Sequence, residues 1–423
     1  MLHIEPSGLK GSLSLPPSKS HTLRAIVFAL LARGRSVIRH PLLSPDAQAM
    51  IRAIEQFGAR VFSFPDRLEI DGVGLELKSP EDVINAGNSG IVLRFIGALS
   101  ALLPTYTILT GDASIRHSRP ILPLLEGVRR LGVFAESALG NDQAPVIIKG
   151  PMHPGTTYLC GEDSQPVSAL LITTALLQGT TIIHVRNPGE KPWIDLTLHW
   201  LKRFGIEVQC DNHKTYTVPG YASIPPFDIT IPGDFSTASY PIVAALLTNS
   251  PLEIQNVDFS DVQGDKRVVD LLIEMGANIS IEAKNKTLYI HPGSRLKAAQ
   301  IDINDYIDAL PLFAVIGCFA DGKTEVINGA IARKKESDRI SAIVKELKKM
   351  GAKIEEKPDG FIVENSQLHG SILSSHADHR IALSLSVAAL AAHGNSVIEG
   401  HSCIAKSYPT FVEDFKNLGA ALS

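Results

Sequence analysis

Five stretches of this sequence carry a cation in a turn just ahead of a helix-like run. Helix N-termini attract anions, because unpaired backbone N–H groups and the helix dipole point there, and a nearby Lys or Arg adds a full charge. The first stretch is Pro17-Ser18-Lys19-Ser20, with Arg24 one turn into the run. The second, Ala86-Gly87-Asn88-Ser89-Gly90, leads to Arg94, and its glycines let a ligand approach the backbone. The third, Lys334-Lys335-Glu336-Ser337-Asp338-Arg339, reads equally well, taken alone, as the capped start of a charged surface helix. Asp378-His379-Arg380 opens the run Ile381 to Ala392, which is apolar on nearly every face and so belongs in a core. Lys406 precedes Tyr408-Pro409, and outside these five Arg119 precedes Pro120. Converged, Lys19, Arg24, Arg94, Arg119, Lys335, Arg339, Arg380 and Lys406 would hold several negative charges. Asp308, Glu336 and His379 add acid–base groups. No Gly-x-Ser-x-Gly elbow, Walker-type phosphate loop or His-Glu-x-x-His pair occurs. The chemistry implied is proton transfer with anion stabilisation rather than covalent or metal catalysis.

The elements that must position these residues repeat. Six times an amphipathic run ends in a large apolar residue and a glycine before a β-like stretch: Phe57-Gly58, Leu131-Gly132, Phe204-Gly205, Met275-Gly276, Met350-Gly351 and Leu418-Gly419. The glycines lie 74, 73, 71, 75 and 68 residues apart, and each reads as a helix C-cap. Alternation such as Asn278-Ile279-Ser280-Ile281-Glu282 predicts strands, and Lys357-Pro358-Asp359-Gly360 ahead of Phe361 predicts a hairpin. The unit is about seventy residues of mixed helix and strand, longer than the common solenoid repeats. Six copies point to two domains of three.

The remaining composition narrows the partners. With Lys+Arg 40 against Asp+Glu 44 in 423 residues, the net charge is −4, so no global basic field favours nucleic acid or an anionic membrane. Cys160, Cys210, Cys318 and Cys403 are dispersed and form no Cys-x-x-Cys pair, which fits reduced thiols rather than a disulfide framework. The first residues lack the basic and apolar regions of a signal peptide, and no apolar run approaches the ~18 residues of a membrane span. The expectation is a cytoplasmic protein acting on small anionic molecules.

The ordered set Pro17-Ser18-Lys19-Ser20, Asn88-Ser89-Gly90 with Arg94, Arg119-Pro120, Ser164-Gln165, Asp308, Lys335 to Arg339, Asp378-His379-Arg380 and Lys406 resembles the enolpyruvyl transferases over nearly the whole chain. Within them it is most similar to the members acting on shikimate 3-phosphate. The resemblance implies an α/β fold of two similar, hinged domains, each of three repeated β/α units, of the inside-out α/β barrel type. Residues 1–18 would join 234–423, residues 19–233 would form the other domain, and the active site would occupy the interdomain cleft. The chain would cross back near Pro232-Gly233-Asp234. The implied reaction moves the enolpyruvyl group of phosphoenolpyruvate to the 5-hydroxyl of shikimate 3-phosphate, releasing phosphate, in a monomer that uses no metal or cofactor. By the same likeness Lys19, Ser20, Arg24, Ser164, Gln165, Asp308 and Lys335 would meet shikimate 3-phosphate. Lys19, Asn88, Gly90, Arg119, Gln165, Arg339, Arg380 and Lys406 would meet phosphoenolpyruvate. Asp308 and Lys335 would address the reacting hydroxyl, and Glu336 would exchange a proton with the methylene carbon. Lys19 and His379 complete the catalytic set, with His379 either moving protons or orienting Asp378 and Arg380.

Two departures bear on the acceptor. Serines are usual in the family where this chain has Asp163 and Glu190, and carboxylates facing a phosphate would repel it. Either these acids point elsewhere, with Ser164, Lys191 or Trp193 taking over, or the acceptor differs. Ile91 and Phe95 replace the usual threonine and proline, which predicts weakened binding of glyphosate, an inhibitor of the phosphoenolpyruvate site. Ile331 stands where some members have asparagine. The competing readings are a transferase acting on UDP-N-acetylglucosamine and a non-catalytic phosphometabolite-binding protein. The former carries a cysteine in the loop matching Asp112 to Arg119, and none is present here. The latter gains nothing from carboxylates at Asp308 and Glu336.

Overall fold

The computed structural model describes residues 1–423. The chain divides into two compact units, Met1–Pro17 with Pro232–Ser423, and Ser18–Ile231. Each is mixed α/β, built from repeats of one pattern: a strand, a buried helix, a parallel strand, a second helix and a hairpin. The repeat from Thr156 to Val218 shows it in full. Strand Thr156–Cys160 pairs parallel with Thr181–Arg186, helix Ser164–Thr174 connects them, and helix Lys191–Arg203 leads to the hairpin of Gln209–Asp211 and Thr215–Val218. Five four-stranded sheets follow this order, the one three-stranded sheet has Leu2–Ile4 in place of the hairpin, and no sheet closes into a barrel.

Strand pairing explains why one unit is discontinuous in sequence. Gly11–Ser14 lies parallel to Leu252–Gln255, with Leu13 opposite Ile254, and so supplies the first strand of a repeat whose remainder begins after residue 234. Leu2–Ile4 pairs antiparallel with Ser396–Glu399 and completes the last sheet of the same unit. In the other unit, Asp228–Thr230 lies parallel to Arg33–Arg39. All six repeat glycines sit at positive φ, from 74° at Gly205 to 102° at Gly276, the left-handed conformation that ends a helix and suits glycine.

The first helix of each repeat is apolar almost all round and buried almost all round. His379–Ala391, for example, is buried from His379 through Leu390. Polar side chains mark where these helices begin: Ser18, Ser89, Asp163, Asp234 and Asp378 are N-caps whose side chains accept backbone N–H bonds, each worth about 1 kcal/mol. The second helices are amphipathic. Arg339–Lys349 buries Ile340, Ile343, Val344 and Leu347 and leaves Lys345 and Lys348 exposed. No helix is long and apolar enough to cross a membrane.

Candidate active site

In the unit 18–231 the anion-seeking side chains lie at helix N-termini, as their spacing predicted. Ser18 caps helix Lys19–Leu31, and Lys19 extends to within 3.8 Å of Asp46, itself in the first turn of Pro45–Gln56. Arg24 is buried one turn along. Its Nε donates to Thr197 Oγ1 at 2.9 Å, Nη2 to the Trp193 carbonyl at 2.9 Å and Nη1 to the Ser20 carbonyl at 3.2 Å, while its guanidinium lies 5.5 Å from the Phe95 ring centroid. Burial among these uncharged oxygens pushes its pKa down to about 9, so a nearby anion would favour its charged form. The aromatic cluster of Trp200 with Phe28, Phe204 and Phe227 holds the two helices that place it.

A second network surrounds Gly90. Arg94 Nη1 donates to Gln165 Oε1 at 2.9 Å, and Nη2 donates to the Pro120 carbonyl at 2.8 Å and lies 3.0 Å from Asp163 Oδ2. A Cβ on Gly90 would stand 2.5 Å from Arg94 Nη1 and 2.6 Å from Arg119 Nη1. Both guanidinium groups therefore press on bare backbone, and only glycine leaves them room. Asn88 donates to Asp112 Oδ2 at 2.6 Å and Ser114 Oγ at 3.0 Å, tying its turn to the loop that ends in Arg119.

The two acids that stood in doubt have defined partners. Asp163 caps helix Ser164–Thr174, accepting from Gln165 N at 3.0 Å while it faces Arg94. Glu190 is buried, and its Oε2 accepts from both the backbone N and the Oγ of Ser164 at 3.0 Å. The Ser164 hydroxyl, expected at the acceptor, is directed to Glu190 in this structure.

In the unit 1–17 with 232–423, three carboxylates meet three cations. Asp308 precedes the buried helix Leu310–Phe319 and accepts from Arg339 Nη1 at 2.7 Å and Arg380 Nη2 at 2.8 Å. Glu336 accepts from Arg339 Nη2 at 2.8 Å and Lys406 Nζ at 2.7 Å. Asp378 accepts from Arg339 Nε at 2.8 Å, from Arg380 N at 2.8 Å and from Ser337 Oγ at 3.2 Å. Arg339 is 1% exposed. Its burial works against its charge, but Asp378, Glu336 and Asp308 outweigh it and hold the guanidinium protonated well beyond its usual range. For Arg380 burial is likewise outweighed, chiefly by Asp308. His379 Nδ1 lies 3.7 Å from Asp378 Oδ1 and 3.9 Å from Glu336 Oε1. Lys335 sits half-buried in the turn entering Arg339–Lys349. Ser236 donates to Asp265, whose carboxyl is pushed up to about 7 by burial and then by the neighbouring Asp308 charge.

The expected residues thus form two sets. Lys19, Ser20, Arg24, Asn88, Gly90, Arg119, Ser164 and Gln165 belong to the unit 18–231. Asp308, Lys335, Glu336, Arg339, His379, Arg380 and Lys406 belong to the other. Sequence reasoning undervalued Arg94 and Asp378, the residues on which each network turns. Their signal was present: Arg94 one turn after Gly90, and Asp378 as a polar residue at the mouth of a wholly apolar helix.

The family model for EPSP synthase (3-phosphoshikimate 1-carboxyvinyltransferase) matches residues 4–415. The 3-phosphoshikimate 1-carboxyvinyltransferase of Ruminiclostridium cellulolyticum is 42% identical over 421 residues, covering 100% of this chain and 99% of its own. That of Chlamydia caviae is 42% identical, covering 99% and 93%. Among solved structures, EPSP synthase from Acinetobacter baumannii superposes with a TM-score of 0.83 at 26% identity, covering 100% of this chain and 99% of its own. The enolpyruvyl transferase NikO from Streptomyces tendae shares the fold, with a TM-score of 0.80 at 21% identity over 100% and 98% of the two chains.

Proposed function

The chain belongs to the EPSP synthase family, and from that premise we propose that it transfers the enolpyruvyl group of phosphoenolpyruvate to the 5-hydroxyl of shikimate 3-phosphate. The products are 5-enolpyruvylshikimate 3-phosphate and phosphate, on the route to chorismate and the aromatic amino acids. One observation carries the reading: Asp308 and Glu336, an incipient base and an incipient acid, are held by one guanidinium, Arg339, between Arg380 and Lys406. Addition requires a proton to reach the methylene carbon while the acceptor hydroxyl loses one, and elimination reverses the first transfer as the C–O bond to phosphate breaks. Two carboxylates oriented by shared cations suit that exchange. Their lone pairs accept from Arg339, Arg380 and Lys406, so an anion that recruits these cations also frees Asp308 and Glu336 to act.

In this reading Lys19, Ser20, Arg24, Gln165 and Lys335 meet the shikimate moiety. Asn88, Gly90, Arg119, Arg339, Arg380 and Lys406 meet phosphoenolpyruvate, and Lys19 serves both substrates. His379, beside both Asp378 and Glu336, either moves protons or orients Asp378 and Arg380. The bonds from Glu190 to Ser164 and from Asp163 to Arg94 support acids that organise the acceptor side without facing the acceptor phosphate.

The test is phosphate release from phosphoenolpyruvate by the purified protein. Release that depends on shikimate 3-phosphate, and not on UDP-N-acetylglucosamine, is expected. Loss of release in both Lys19→Ala and Lys406→Ala is expected too, because the reading makes the residue sets of both units serve one reaction. Release with neither acceptor overturns it.

A further inference from the structure

The segment Ser374–Asp378 enters the Asp378-His379-Arg380 turn through two consecutive non-glycine residues in the left-handed region, His376 at φ 49° and Ala377 at φ 56°. Such backbone persists only where its surroundings over-determine it. Here helix Arg339–Lys349 grips the segment at two points. At its N-terminus Arg339 Nε donates to Asp378 Oδ2 at 2.8 Å. Seven residues on, which is within about 20° of the same helix face, Glu346 accepts from Ser374 N at 3.0 Å through Oε2 and pairs with His376 Nε2 at 2.8 Å through Oε1. The Glu346 side chain is fully buried. Burial alone works against its charge, but bonds from Lys349, Ser374 N and His376 outweigh it and hold the carboxyl below its usual range. Ser375 reinforces the same turn, accepting from Ala377 N at 3.2 Å and donating to the Gly400 carbonyl at 3.0 Å.

We infer that Glu346 and His376 form a positioning clasp for the reaction: by holding the left-handed turn they fix Asp378, and Asp378 fixes the Arg339 guanidinium against Asp308 and Glu336. Neither residue needs to touch substrate. The inference rests on the proposed function for its kinetic readout, because Arg339 is there assigned to phosphoenolpyruvate.

The experiment compares His376→Gly, His376→Gln and Glu346→Ala with wild type. Glycine adopts φ 49° without strain, so His376→Gly removes the clasp while leaving the turn itself easy to form. The expected result for His376→Gly and Glu346→Ala is a KM for phosphoenolpyruvate raised about tenfold, with kcat and the KM for shikimate 3-phosphate within threefold of wild type. His376→Gln, which keeps a donor toward Glu346, should recover most of the loss. A purely architectural role would lower the melting temperature and leave that KM unmoved. Phosphoenolpyruvate KM values within twofold of wild type in both His376→Gly and Glu346→Ala overturn the clasp. If the wild type itself releases no phosphate, the proposed function has failed and not the clasp. The clasp is then read from the Nε–H resonance of Arg339 in arginine-labelled protein, identified by its absence in Arg339→Lys. The bond to Asp378 should slow its exchange in wild type; faster exchange in His376→Gly supports the clasp, and equal exchange in the two overturns it.

Discussion

Gly90→Ala tests whether phosphoenolpyruvate is met by guanidinium groups packed on bare backbone. An added Cβ would stand 2.5 Å from Arg94 Nη1, 2.6 Å from Arg119 Nη1 and 3.1 Å from Gln165 Oε1, where ordinary contact begins near 3.4 Å. Each guanidinium must therefore retreat by about 1 Å. For Arg94 that retreat strains bonds to Gln165, Pro120 and Asp163; for Arg119 it withdraws the cation from where the proposed function places the substrate. Losing one charge-assisted hydrogen bond costs about 1.5–3 kcal/mol, so kcat/KM for phosphoenolpyruvate should fall roughly 10- to 100-fold. The fall should appear mainly in KM, because the chemistry is assigned to Asp308 and Glu336 in the other unit. Initial rates of phosphate release at varied phosphoenolpyruvate, with shikimate 3-phosphate saturating, measure it. Gly97→Ala in the same helix is the control: its Cβ would meet Leu124 Cδ2 at 3.2 Å and Ile148 Cδ1 at 3.5 Å, contacts that touch no cation, and its KM should match wild type. Equal KM values for Gly90→Ala and wild type would refute the packing argument, and so would a fall of the same size in Gly97→Ala.

Asp378→Asn keeps an N-cap of equal quality but removes one of the three carboxylates around buried Arg339. Breaking a buried pair costs about 3–5 kcal/mol, so denaturant unfolding should show a loss near 3 kcal/mol with turnover also reduced. Asp265 is held near 7, above its unfolded value, so the folded state binds the extra proton between about pH 4 and pH 7 and loses stability as pH rises through that window. Asp265→Asn should accordingly be more stable than wild type by a few kcal/mol at pH 8, with the difference gone by pH 4; a gain independent of pH would refute this. Glu190→Gln should lower the melting temperature by several degrees through the Ser164 contact, with the KM for shikimate 3-phosphate unchanged. A lowered KM would show that the carboxylate does face the acceptor phosphate.

What the sequence disclosed and what it withheld divide along one physical line. Local rules made the six glycines legible, since a helix terminus demands φ > 0 whatever surrounds it, and all six adopt it. The all-apolar run after Asp378 announced a buried helix for an equally local reason. Arg339 shows the limit. Lys334 to Arg339 read alone as a charged surface helix, yet Arg339 is almost wholly buried because Asp308 and Asp378, 31 positions before it and 39 after it, converge on it through strand pairing. No spacing encodes that meeting. Asp163 and Glu190 were legible as anomalies and illegible as to cause, because their partners, Arg94 and Ser164, are chosen by packing between consecutive repeats and by a left-handed turn at Glu190 itself.

The repeat supplies a reason why Glu190 is where it is. In five of the six repeats a residue at or just before the start of the second helix reaches the start of the buried first helix of the same repeat. Asp46 meets Lys19, Arg119 presses on Gly90 and Glu190 holds Ser164; in the other unit Asp265 holds Ser236 and Arg339 holds Asp308. In the sixth, Lys406 turns instead to Glu336. The first repeat of each unit therefore carries an aspartate there and the second an arginine, and only the third differs in sign, Glu190 against Lys406. The demand common to that slot is to restrain the first turn of a buried helix, and a carboxylate in it can also accept from the turn's unpaired N–H groups, which an arginine cannot. Glu190 meets that demand with both the backbone N–H and the hydroxyl of Ser164. The contact follows from the architecture and the acid from the two donors that Ser164 presents, so changing the charge of Glu190 should alter stability before it alters substrate affinity.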